Sequence, residues 1–331
     1  MLTKSKIIQL LLGLIISFGL IGWIYMTTDW AKVGDWMLKM NYWAFIPITA
    51  VTILHYYLRA WRWRYLLPEG EKVPVQRLFD SIMVGNFATF VLPFRAGEFV
   101  RPFLLSRLSA VSFTTGFVSV VVERFFDLAM VLLSFGIVGV YIKGLPVEAV
   151  LGAKALSVLA LIILVVMVVG TFLPAAVLKL LDFCLHYGLG FLPQGFRGKI
   201  RKFAEDFLRG AAILNQWWRV LAVLGLSLCV WGSCYLISWA YFLPFHQVIG
   251  AWPAITIAVV IALAVAAPSA PGFIGVYQAA CVAGMALFGM DTSLAVAYSI
   301  VCHVYQYIVF VVYGMYVLSK TGMKLGELRS R

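Results

Sequence analysis

Residues 79–107 read FDSIMVGNFATFVLPFRAGEFVRPFLLSR. The apolar run would continue as one helix, but Leu92-Pro93-Phe94-Arg95-Ala96-Gly97 interrupts it. Proline lacks the amide that a helix interior needs, and glycine permits the tight turn that follows. A second apolar stretch, 253–290, is interrupted in the same way at Pro268-Ser269-Ala270-Pro271-Gly272. The composition says where such segments lie. Of 331 residues 63% are hydrophobic and 12% are charged, too little polar surface to cover a soluble interior of that size. At membrane depth a broken helix is tolerated only where protein or a water-filled cavity satisfies the freed backbone groups. The two breaks therefore predict a polar cavity inside an integral membrane protein.

Working outward, apolar runs long enough to cross about 30 Å of hydrocarbon as helix occur at 7–26, 41–58, 154–173, 219–242 and 293–319. The stretch 111–141 joins them if its embedded charges are tolerated. The first run follows Lys4 and Lys6 as a signal peptide would, but it ends without a small-residue cleavage site and reads as a retained anchor. The expected fold is all-α, with six to eight transmembrane helices and one or two re-entrant hairpins. The net charge of +12 is read by position, because Lys and Arg sort to the cytoplasmic side. With the N-terminus inside, nineteen of the 26 basic residues fall in the cytoplasm and only Lys32, Lys39, Lys143 and Lys154 outside. Both termini are then cytoplasmic and the chain is a multi-pass protein of the cytoplasmic (inner) membrane. A nucleic-acid partner is excluded despite a pI near 9.5, since no polar segment is long enough to form a separate basic domain.

This orientation makes 41–58, 79–107 and 111–141 the inverse of 219–242, 253–290 and 293–319, an inverted repeat of the kind that places a transporter's site between two interrupted helices. Two short full spans within 253–290 would satisfy the same parity. The chain is read as one transmembrane domain, 1–331: a first half of about 1–173, a connector 174–218, a second half 219–319 and a tail 320–331. In the connector Phe196, Ile200, Phe203, Phe207, Ala211 and Leu214 recur at three- and four-residue steps opposite basic residues, the pattern of a helix lying on anionic headgroups.

Ionisable groups inside a membrane are costly and are the functional candidates by default. Arg95, Glu98 and Arg101 are spaced three apart after the first break, near one face of a helix whose first amides point into the break beside Gly97. A helix N-terminus beside a forked guanidinium suits phosphate. The second break offers Pro271, Gly272 and Gly275, small residues that allow close backbone approach to a headgroup. Within 111–141, Arg124 and Asp127 can pair, whereas Glu123 and Asp127 repel unless Glu123 finds a proton or a cation, for which Arg95 and Arg101 are available. These groups equally describe a satisfied ion network that only fixes the bundle. Arg59 and Arg62 with Trp63 read as an interface anchor that also meets lipid phosphate. The four histidines have no ligand spacing, the five cysteines read as reduced core residues, and neither a metal nor a cofactor is expected. No nucleophile elbow, P-loop or ATP-binding module occurs.

Arg59-Ala60-Trp61-Arg62-Trp63, the run from Asn86 through Glu98 to Arg101, Glu123-Arg124-Phe125-Phe126-Asp127 and Pro271-Gly272-Phe273-Ile274-Gly275 together resemble the lysylphosphatidylglycerol synthase transmembrane family. The resemblance spans roughly 1–320, without the fused aminoacyl-transferase domain. It implies a flippase-like membrane domain that handles lipid, with the Arg-Gly-Glu and Glu-Arg-x-x-Asp motifs as its core. It also implies an acidic residue where this chain has Gln278, so a proton or cation role for that position is not carried over. The expected function is translocation of a lipid with an anionic phosphate headgroup, an anionic phospholipid or a polyprenyl-phosphate-linked lipid, through a cavity between the breaks. The alternative is an enzyme or enzyme subunit acting on a lipid-linked phosphate, with Glu98, Glu123 or Asp127 as acid or base. A lipid synthase is the expected protein partner if the chain serves as its scaffold.

Overall fold

In the computed structural model the described residues are 4–68, 72–92, 95–141, 151, 154–155, 157–159, 161–162, 165, 169, 172–188, 195–198, 200–201, 204–205, 216–266 and 269–323. Among them the chain is helical, with no strand. The helices are α1 (Lys4–Thr27), α2 (Trp30–Leu38), α3 (Phe45–Tyr65), α4 (Val75–Val91), α5 (Gly97–Leu108), α6 (Phe113–Tyr141), α7 (Pro174–Phe183), α8 (Trp217–Ala240), α9 (Ala251–Ala264), α10 (Val276–Ala286) and α11 (Thr292–Thr321). By length and composition, two stretches among the described residues suffice to cross a membrane, Trp217–Phe245 and Thr292–Thr321. The bent pair formed by α1 and α2 makes a third.

Helix α2 was not expected from the sequence. After Thr27 the chain turns by 89°, because the Asp29 carboxylate accepts the amides of Ala31 and Lys32 and starts a new helix there. The run 154–173 lies partly outside the described residues, and Phe203, Phe207, Ala211 and Leu214 of the connector's amphipathic stripe lie wholly outside them.

Both broken stretches form pairs of short helices packed on each other, α4 on α5 and α9 on α10. With 14 residues α9 reaches about 21 Å, short of the roughly 30 Å of a hydrocarbon core. Helix α3 packs on α8, α4 on α11, and α6 on α9. The buried core falls into two apolar clusters, one mainly from α3 to α6 with Val223 of α8 and Phe310 of α11, the other mainly from α8 to α11 with Ile24, Val33 and Ile48, and Phe273 packs against both.

Small residues set the closest approach. A β-carbon at Gly97 would fall onto the Gly85 carbonyl oxygen and the Thr89 hydroxyl, so α5 can lie this close to α4 only with hydrogen there. Gly97→Ala should therefore destabilise the protein by about 1–3 kcal/mol, the cost of overpacking. Thermal unfolding in detergent checks it against Gly232→Ala in the interior of α8, whose added methyl meets nothing within 4 Å and should leave the midpoint unchanged or raise it.

Candidate functional site

Helix α6 carries Glu123, which is fully buried. Its Oε1 lies 3.0 Å from Arg62, 2.8 Å from Arg124 and 3.4 Å from Arg59, and its Oε2 lies 2.7 Å from Arg101. Four guanidiniums from three helices thus converge on one carboxylate. Asp127, one turn further on, accepts from Arg62 at 2.7 Å and pairs with Arg124 at 3.1 Å. The Trp231 indole NH donates to the same Asp127 oxygen at 3.3 Å, and Arg62 also donates to Ser227 at 3.1 Å. The Arg101 guanidinium lies over the Trp63 ring at 3.8 Å, while the Trp63 indole donates to Ser119 at 2.7 Å.

The structure corrects the anchor reading. Arg62 and Trp63 are completely buried, not laid at an interface. Leaving either Glu123 or Asp127 without a cation inside the bundle would cost several kcal/mol, so the end of α3 turns its arginines inward. Of the two cations offered to Glu123, Arg101 makes the pair and Arg95 does not.

Arg95 stands at the first break with φ of 52°, and Phe273 at the second with φ of 61°, both in the left-handed region that side chains other than glycine seldom adopt. These two residues meet, the guanidinium 5.4 Å from the ring centroid. The breaks are joined further by Phe90, which packs edge to face on Phe273 and on Tyr307. Gly272, also left-handed, sits where a β-carbon would strike the Tyr307 hydroxyl.

A cavity of about 320 Å³ opens at this junction. Its lining includes Arg59, Arg95, Gly97, Glu98, Arg101 and Arg124. Arg95 and Glu98 have no ion-pair partner within 4.0 Å among the described residues, so both remain available to a ligand. A smaller cavity of about 120 Å³ shares Tyr56, Gln306 and Phe310 with it and runs on to Thr52, His55 and Cys234.

Of the second-break candidates, Pro271, Gly272 and Gly275 are not part of the cavity lining, which the break reaches through Phe273. Their smallness serves packing: Gly275 lies against the Ser17 carbonyl of α1, and Gly272 against Tyr307. The Gly275 amide is occupied as well, since it donates to the Gln278 side-chain oxygen at 2.7 Å. The Gln278 amide nitrogen lies 2.9 Å from Nδ1 of His303. The neutral amide therefore both accepts and donates here, which an ionised acid cannot do.

The stretch of chain that builds this junction falls within a match to a known family. The family model described as "Lysylphosphatidylglycerol synthase TM region" matches residues 10–314. The chain belongs to this family. The family match covers both breaks and every arginine and carboxylate of the cluster. The chain is also similar to the glycosyltransferase AglD of Haloferax volcanii, 31% identical over 96 residues. That match takes in 29% of this chain and 15% of the relative's own length. No solved structure matches the chain. The family assignment makes this a membrane protein.

The network around Glu123 has a measurable consequence. Glu123→Gln leaves four guanidiniums facing a neutral amide and should cost about 3–5 kcal/mol, read as a lowered unfolding midpoint. Arg59→Gln, which removes the longest and most exposed of the Glu123 contacts made from outside α6, should cost less than about 1 kcal/mol.

Proposed function

We propose that this protein translocates a lipid with an anionic phosphate headgroup across the cytoplasmic membrane. The observation that carries the reading is the cavity at the meeting of the breaks, where Arg59, Arg95, Arg101 and Arg124 face a single lining carboxylate, Glu98. Such a cavity holds a phosphate by forked, charge-assisted hydrogen bonds, and the N-terminus of α5 adds a favourable dipole. The tails remain in lipid. Movement between the two sides repacks the Arg95–Phe273 junction, whose strained backbone on each side favours an alternative arrangement.

In this reading the two halves form an inverted repeat, with both termini cytoplasmic and α4–α5 and α9–α10 as re-entrant hairpins. The packing supports it: exchanging α3, α4, α5 and α6 for α8, α9, α10 and α11 maps the contacts α3–α4, α4–α5, α5–α6 and α4–α11 onto α8–α9, α9–α10, α10–α11 and α6–α9. With Arg59 and Arg62 moved from the cytoplasmic tally into the bundle, seventeen basic residues still lie inside against four outside.

Enzymatic action on a lipid-linked phosphate is the second reading. What favours it is Glu98, a carboxylate in the cavity with no ion pair among the described residues, together with the likeness to a protein named a glycosyltransferase. Against it, Glu123 and Asp127 are both held by arginines, which leaves Glu98 without a second acid or base.

Translocation of fluorescent anionic lipid in proteoliposomes tests the assignment. Arg95→Ala, which breaks no ion pair among the described residues, should keep the wild-type unfolding midpoint and lose translocation by at least about tenfold. A wild-type rate in a properly folded Arg95→Ala protein would overturn the reading, and so would turnover of the lipid by the purified protein.

A further inference from the structure

The charges at the junction do not cancel. Five arginines, the four that reach Glu123 and Arg95, meet three carboxylates, Glu98, Glu123 and Asp127. Among the described residues the charged groups that line the cavity itself are Arg59, Arg95, Glu98, Arg101 and Arg124. Arginine does not deprotonate in proteins, so the surplus cannot be relieved by losing a proton. Among the described residues the junction therefore holds two positive charges more than negative ones, carried by side chains that range from fully buried Arg62 to the partly exposed Arg95 and Arg124.

The unused hydrogen-bonding capacity lies on the same residues. The Arg101 side chain is about 5% exposed, its Nε has no hydrogen-bond partner, and it lines the cavity. Its contact with Glu123 is close but is not an aligned hydrogen bond. Asn86, across the cavity on α4, likewise has a buried amide nitrogen with no partner.

From these observations we propose that the cavity is matched to a doubly charged phosphate, the phosphomonoester end of a lipid, in preference to a singly charged phosphodiester. One dianion brings the junction to neutrality, and its oxygens accept from Arg95 and the other guanidiniums that line the cavity. A monoester presents three terminal oxygens to such donors, whereas a diester has two of its four oxygens in ester linkage. The charge argument stands on the arginine surplus alone, and the lipid source rests on the translocation reading.

The experiment measures binding of three probes to the purified full chain in detergent: phosphatidic acid, phosphatidylglycerol with the same acyl chains, and inorganic phosphate. Phosphatidic acid should bind about tenfold more tightly than phosphatidylglycerol. Glu98→Gln raises the surplus by one and should widen that ratio, whereas Arg95→Gln lowers it by one and should narrow it. Equal binding of the two lipids, unchanged in both variants, would overturn the dianion and leave the translocation reading standing. Inorganic phosphate binding where neither lipid binds would support the dianion and overturn the lipid source. No binding by any probe would overturn both.

Discussion

The structure depends on one buried carboxylate. Glu123 has no contact with solvent, and an ionised group in that position persists only when compensating charge is brought to it. The compensation comes from Arg59 and Arg62 on α3, Arg101 on α5 and Arg124 on α6. Helix α3 is thereby fixed in register with the consecutive pair α5 and α6, and α8 joins them through Ser227 and Trp231. Buried networks of this kind specify one arrangement because any other leaves a member unpaired. The arrangement also turns the far sides of Arg59, Arg101 and Arg124 toward a cavity.

The second constraint is geometric. Each broken segment must approach the other without filling the cavity, and the chain meets this with backbone conformations that most residues avoid. Arg95 and Phe273 both adopt the left-handed region and face each other across the junction, and the glycine beside Phe273 clears space for Tyr307. Strained positions of this type persist only where their surroundings hold them, and they gather where a structure binds or switches. The ion network lies on one side of the junction and the two left-handed residues, in mutual contact, on the other.

Much of this was legible in the sequence because the membrane simplifies the problem. In a chain this apolar each charge needs a reason, and that rule alone singled out Arg95, Glu98, Arg101, Glu123, Arg124 and Asp127. Pro93 and Gly97 marked the first break for an equally general reason, the failure of both residues in a helix interior. Arg59 and Arg62 were misplaced because the signal for an interface anchor, arginine interleaved with tryptophan at a helix end, is identical to the signal for a helix end that folds its arginines inward. Only the partner decides between them, and the partner lies 61 residues away. Gly272 and Gly275 were read as room for a headgroup, whereas Tyr307 and the Ser17 carbonyl fill that room. A glycine announces close approach but not what approaches. Helix α2 depended on a single capping aspartate after an apolar run and left no periodic pattern long enough to stand out.

Both proposed activities require a phosphate held in this cavity and differ in what happens to it there, so the position of the headgroup tests them first. A cryo-electron-microscopy structure of the protein with its co-purified lipid measures that directly. The account predicts headgroup density within the cavity, with the phosphorus between Arg95 and Arg101 at the N-terminus of α5 and the tails running out into the bilayer. Headgroup density elsewhere on the protein, with Arg95 and Arg101 facing water alone, would contradict it.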